Sequence, residues 1–178
     1  MQFISNILGG GSNNQAGAAS AVVTNQISLI GAPGDAILSD GTKCAGGTPT
    51  TVGQALSGNL KLILVYFSMH NCPPCREFTP LLVELYNETN EHSKVMEVVF
   101  MSGDQSQNLY EEYYAEMPWL ALPFKDARMK PAAKHFGVRG LPRLVVLNAK
   151  TGATLNDNAV QIVTEQGPVV IEQWLSQV

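Results

Sequence analysis

Asn71-Cys72-Pro73-Pro74-Cys75-Arg76 follows an apolar run, Lys61 to Phe67, and opens an amphipathic segment that continues to Tyr86. A strand therefore feeds a helix, with the cysteines at the junction. Two thiols spaced C-x-x-C at a helix start can close a small disulfide loop. The first of them, Cys72, sits where unpaired backbone N–H groups and the positive end of the helix dipole favour a thiolate. Cys72 is thus the candidate nucleophile. Cys75, one turn further in, is expected to be more enclosed and to resolve the mixed disulfide that Cys72 makes with a partner. Pro73 is tolerated there because its missing N–H would be unsatisfied in the first turn anyway.

Outward from this junction, Lys61 to Phe67 is rich in β-branched and aromatic residues without clean alternation, which predicts a central strand covered on both faces. After the cysteines, Phe78, Leu81, Leu82, Leu85 and Tyr86 form a one-sided apolar stripe, with Glu77, Glu84 and Glu88 off it. Pro80 falls inside that pattern and predicts a kink. Val95 to Met101 reads as a second buried strand, stopped by Ser102-Gly103-Asp104. Gln107 to Met117 reads as a helix whose face of Leu109, Tyr110, Tyr113, Tyr114 and Met117 packs in the core. Pro118-Trp119 and Leu122-Pro123-Phe124 form a loop or short extended piece, and Ala127 to Phe136 a short helix ended by Gly137. Gly140-Leu141-Pro142 then leads into an apolar strand, Leu144 to Leu147, before the turn at Lys150-Thr151-Gly152. The order β, α, β, α, β with a return strand predicts a parallel-cored sheet with helices on both faces.

Upstream, Ala36 to Leu38, a turn at Ser39-Asp40-Gly41 and Thr42 to Cys44 predict a small hairpin, with Cys44 a small structural side chain on the return strand. Thr51 to Leu56 is expected to be a short helix. Residues 1–28 open on Met1 to Leu8 and become rich in Gly, Asn, Ala and Ser, a composition that buries too little apolar surface to hold a fold. They read as a flexible tail; the alternative is that Phe3, Ile4, Ile7 and Leu8 form a short apolar face that docks on a partner. The expected organisation is that tail, 1–28, and one domain, 29–178.

A chain of 178 residues is long enough for one real core. With a net charge of -4, 15% charged residues and no Lys/Arg block, it lacks the basic surface that nucleic-acid binding by counterion release requires. The central apolar run is far shorter than a bilayer span, and no Lys or Arg precedes Lys43, so neither a membrane anchor nor a signal peptide is expected. Three cysteines, two of them close together, do not make a secreted disulfide framework, and the expected address is the cytoplasm. His70 with the two thiols spells H-x-C-x-x-C, which leaves a zinc site as a rival reading. Cys44, His92 and His135 are scattered, however, and structural zinc normally needs four well-spaced ligands.

The strings VYFSMHNCPPCREFTPLLVELYNE, VVFMSGD, YYAEMPWLALPF and FGVRGLPRLVVLNAKTG resemble, in order and spacing, the tryparedoxin and nucleoredoxin branch of the thioredoxin superfamily. The resemblance runs from about Leu29 to Gly152, is thin after Gly152 and is absent before Leu29. It implies a thioredoxin fold: a central mixed β-sheet flanked by helices on both faces, here with an N-terminal hairpin and a low-complexity tail. It also implies Cys72 as attacking and Cys75 as resolving thiol. Pro142 becomes the cis-proline that faces the dithiol, exposing the backbone of Leu141 to pair with an extended peptide. Substrate contact is implied for Asn71, Pro73, Pro74, Leu141 and Pro142. Tyr66 lies where ordinary thioredoxins carry a buried acid, so the proton of Cys75 must be managed by another group or by water.

One departure is Asn71, where members of this branch carry Trp in WCPPC. Asn71 could cap the helix start, and His70 reads as a solvated turn residue, the alternative being that, if protonated, it favours the Cys72 thiolate. The implied activity is thiol-disulfide exchange on protein disulfides or peroxidase partners. It needs no metal or organic cofactor and draws electrons from a low-molecular-weight thiol or a thioredoxin reductase. The alternative is a thioredoxin-fold structural or redox-sensing subunit of a larger cytoskeletal or ciliary assembly, joined through the N-terminal tail.

Overall fold

The computed structural model describes residues 25–178. The apolar face at Phe3, Ile4, Ile7 and Leu8 lies outside those residues. A short 3-10 turn, Gln26–Leu29, leads into the strands β1 (Ala36–Ser39) and β2 (Thr48–Thr51) and the helix α1 (Val52–Ala55). Then follow β3 (Leu62–Ser68), α2 (Pro73–Thr89), β4 (Met96–Ser102), α3 (Gln107–Tyr114), β5 (Leu120–Ala121), α4 (Met129–His135) and β6 (Arg143–Asn148). The chain ends with β7 (Thr154–Asn156), α5 (Val160–Gln166) and α6 (Val170–Leu175). The strands form one mixed seven-stranded sheet in the order β2-β1-β5-β4-β3-β6-β7. β3 runs parallel to β4 and antiparallel to β6, so the predicted central strand is interior.

Alternation along β3 divides the core. Leu62, Leu64 and Tyr66 face one side, where α2, α3, α5 and α6 pack through Leu82, Leu85, Tyr110, Val163 and Trp174. Ile63, Val65 and Phe67 face the other, against Ile30, Val52 and Ala132. Both faces are therefore covered, which is why the sequence shows an unbroken apolar run. Arg128 fastens the second layer: it donates to the Ile30 and Ala36 carbonyls at 2.8 and 2.6 Å and pairs with Asp126 at 2.6 Å.

Four expectations need correction. The return strand of the hairpin is Thr48–Thr51, not Thr42–Cys44. Asp40, at φ 49°, starts a longer connection that its carboxylate stabilises by accepting from Thr42 and pairing with Lys43 at 2.7 Å. Gly46 and Gly47, at φ 78° and 74°, keep the chain from extending before Thr48. Cys44 consequently lies exposed in that connection, not on a strand. The third helix stops at Tyr114, and Met117, whose N–H donates to the Tyr114 carbonyl at 2.9 Å, is buried in the turn before Pro118. On α2 the buried stripe is rotated: Leu81 is 38% exposed, whereas Thr79 is buried. A buried hydroxyl is stable there because it is hydrogen-bonded. Pro80 sits inside α2 and leaves the Arg76 carbonyl without its helical partner.

The segment after Gly152 was not resolved into elements by sequence reasoning. It supplies β7, α5 and α6, and its Ala159, Val163, Val170, Ile171 and Trp174 close the first core.

Candidate active site

The strand β3 ends at Ser68, and four residues later Cys72 takes the extended conformation of an N-cap, φ -128° and ψ 103°, with no side chain capping the helix. Of the orphan donors at a helix start, Pro73 and Pro74 remove two, leaving the amides of Cys72 and Cys75. Cys72 and Cys75 are joined by a disulfide, with their Cα atoms 5.2 Å apart. Cys72 is 7% exposed and Cys75 fully buried, an asymmetry in which an attacking partner meets Cys72 first.

Leu141-Pro142 is a cis peptide bond, and the Leu141 carbonyl lies 3.9 Å from the Cys72 sulfur. The structure thus brings Cys72, Cys75, Leu141 and Pro142 together, with Pro73 and Pro74 forming the first turn of α2 beside them. A shallow hollow lined by His70, Asn71, Cys72, Pro73, Arg76 and Glu77 opens on the other flank.

Asn71 does not cap the helix; its side-chain oxygen lies 3.1 Å from Nδ1 of His70. His70 is not a freely solvated turn residue. Its ring meets Tyr113 edge-on at 6.0 Å, and its Nε2 is 3.7 Å from Glu112. Its backbone N–H donates to Asp104 at 2.8 Å, and Asp104 also accepts from Ser102 at 2.7 Å. Asp104, at the C-terminal end of the parallel strands, therefore pins the loop that carries the cysteines.

Beneath Cys75 lie four buried hydroxyls. Thr79 donates to the Cys75 carbonyl at 3.0 Å, and Tyr113 stands 3.3 Å from the same oxygen. Tyr113 is 2.5 Å from Thr79 and 2.8 Å from Ser68, and Tyr66 is 2.9 Å from Thr79. Burial pushes the Tyr66 phenol far above its ordinary value and holds it neutral, a hydrogen-bonding group where a carboxylate would be charged. Sequence reasoning missed Asp104, Thr79 and Tyr113. The signal available was slight: a threonine inside an apolar stripe and a Tyr-Tyr pair on α3.

Among the described residues no group of three or more His, Cys, Asp and Glu is placed to hold a metal. No helix among them is long and apolar enough to cross a membrane.

Comparison with known proteins agrees with this geometry. The model of the thioredoxin-like family matches residues 59–154. A protein named "Probable nucleoredoxin 1" from Arabidopsis thaliana is 49% identical over 107 residues, covering 60% of this chain and 18% of that protein. The chain thus spans less than a third of the nucleoredoxins it matches first, the second of which, from Danio rerio, is covered to 28%. Tryparedoxin of Trypanosoma brucei brucei is 43% identical over 110 residues, covering 60% of this chain and 76% of that protein. A solved structure of tryparedoxin from Trypanosoma brucei superposes with a TM-score of 0.70 at 33% identity, covering 84% of this chain and 97% of the other. With that model matched over more than half of its length, and its disulfide at a strand-to-helix junction faced by a cis-proline, the chain belongs to the thioredoxin-like family, within its tryparedoxin and nucleoredoxin branch.

Proposed function

We propose that this chain is a thiol-disulfide oxidoreductase that reduces protein disulfides through Cys72 and Cys75. The observation that carries the reading is the unequal burial of two bonded cysteines at a helix start, with the Leu141 carbonyl 3.9 Å from the outer sulfur. In the reduced form the Cys72 thiolate attacks a substrate disulfide, forming a mixed disulfide and expelling one substrate thiolate. The Cys75 thiolate then attacks the Cys72 sulfur, releasing the second substrate thiolate and closing the Cys72–Cys75 bond. The substrate gains two electrons and two protons, and a low-molecular-weight thiol or a thioredoxin reductase returns the electrons to the dithiol. Asn71, Pro73, Pro74, Leu141 and Pro142 form the proposed docking surface, with the Leu141 backbone pairing to an extended substrate segment. A reducing, cytoplasmic setting is supported by the exposed free thiol of Cys44. The catalytic unit is proposed to comprise residues 29–178, onto which Ile27 also packs.

The test is exchange kinetics with a protein disulfide substrate. Cys72→Ser is expected to abolish turnover, and Cys75→Ser to accumulate a mixed disulfide detectable by mass. Full activity in the Cys72→Ser protein sinks the proposal. In glutathione buffers the pair is expected to titrate between roughly -270 and -120 mV, the range of exchange enzymes. A potential below about -300 mV would make the disulfide a structural one.

A further inference from the structure

The first turn of α2 has no side-chain cap. Thr51 caps α1 and Ser106 caps α3 through their side chains, but Cys72 provides no such bond, and Pro73 and Pro74 remove two amide donors. Besides the Arg76 amide, which donates to the Cys72 carbonyl at 3.0 Å, this turn is held from below, through the Cys75 carbonyl.

Hydrogen-bond accounting gives that hold a direction. Ser68, Tyr66, Thr79 and Tyr113 are all buried, and each hydroxyl carries one proton. Within this cluster the Cys75 carbonyl is the one member that accepts and cannot donate. Thr79 and Tyr113 both reach that carbonyl, at 3.0 and 3.3 Å, and their oxygens lie within hydrogen-bonding distance of each other, Thr79 also of Tyr66 and Tyr113 also of Ser68. Whichever of the two gives its proton to the carbonyl, the other is tied to it through their mutual hydrogen bond, and bonds in such a network strengthen one another. Tyr113 is the hub. Besides its hydroxyl contacts, its ring lies under the Arg76 guanidinium at 5.0 Å and meets the His70 edge at 6.0 Å, so α3 is joined to both sides of the dithiol loop.

We propose that the Tyr113 and Thr79 hydroxyls are positioning groups for the resolving cysteine: they hold the main chain at Cys75 so that its sulfur stays aligned on the Cys72 sulfur when the disulfide opens. The inference rests on the exchange reading above and concerns one half-reaction of it. Attack by Cys72 on substrate depends on the outer sulfur and the docking surface. Resolution by Cys75 depends on where this turn is held.

The experiment separates the two steps by rapid quench with alkylation, following mixed disulfide formed and consumed with a model protein disulfide. Tyr113→Phe and Thr79→Val are expected to slow resolution about tenfold, while the rate of attack, measured in the Cys75→Ser background, changes less than twofold. Thr79→Ser, which keeps the hydroxyl, is expected to restore resolution. Resolution within twofold of the parent in both Tyr113→Phe and Thr79→Val overturns the inference. Equal slowing of attack and resolution also overturns it, since a general loosening of the fold would do that. If a variant fails to fold, the Thr79→Ser and Thr79→Val pair decides alone, and if Thr79→Val is the one lost, Tyr113→Phe does. Cysteine-dependent exchange with unaltered resolution defeats this inference only; exchange that survives Cys72→Ser defeats the exchange reading itself.

Discussion

Asp104 shows how much of the site lies away from the two sulfurs. Its carboxylate accepts from the His70 amide and the Ser102 hydroxyl and is 7% exposed. Asp104→Ala would bury the His70 N–H without an acceptor, a loss of about 2 kcal/mol that denaturant unfolding of the oxidised protein should register. The same variant should speed alkylation of reduced Cys72, because the loop before it is released. Cys72 and Cys75 were legible in the sequence because their spacing and their place between two apolar patterns are local. Asp104 was not, since only the parallel pairing of β3 with β4 brings it beside His70. Tyr113 read as core packing, which its ring does; its hydroxyl acts across a tertiary contact that helical periodicity cannot show.

Strands buried on both faces are legible as unbroken apolar runs, and elements set by backbone conformation are not. Leu62–Ser68 and Met96–Ser102 lie within a residue or so of the expected strands because each is buried on both faces. The hairpin return was placed too early because the Asp40 turn and two left-handed glycines are set by backbone conformation. The clamp at Arg128 is equally hidden: it joins the segment before α4 to Ile30 and β1 across almost a hundred residues of sequence. Arg128→Met should cost about 2 kcal/mol, read as a lower midpoint in urea. The hydrogen bond from Arg128 holds the Asp126 carboxyl below the usual carboxylate range. Asp126 therefore adds stability above its unfolded value, near pH 4, and that contribution disappears as pH falls through the lower folded value. Asp126→Asn should lose stability at pH 7 and show a flatter acid limb than the parent. The C-terminal helices test a different point. Trp174, 3% exposed on α6, completes the core under α2, and Trp174→Ala is expected to cost about 3 kcal/mol.

Taken together, the sheet and its two helical layers put the cysteines where the parallel strands β3 and β4 end. Open α/β sheets offer a crevice at the carboxyl ends of such strands, and here Leu141 forms its opposite wall. The resemblance recognised in the sequence covered this frame up to Gly152, and the family comparison covers residues 59–154. What lay beyond needed the fold, because α5 and α6 are short and their apolar residues gain meaning only as the lid of a core.

The two outermost strands carry a further meaning. β2 includes Pro49, which has no amide hydrogen, and β7 is three residues long with an irregular register against β6. Both margins of the sheet thus make poor templates for strand addition. A protein proposed to capture extended polypeptides needs backbone that is available for pairing, and the same availability invites self-association. Here the sheet margins are blunted, and the backbone proposed to pair with substrate is that of Leu141, beside the Cys72 sulfur. On that proposal, self-recruitment into fibres and recruitment of a substrate would fall on separate parts of the surface.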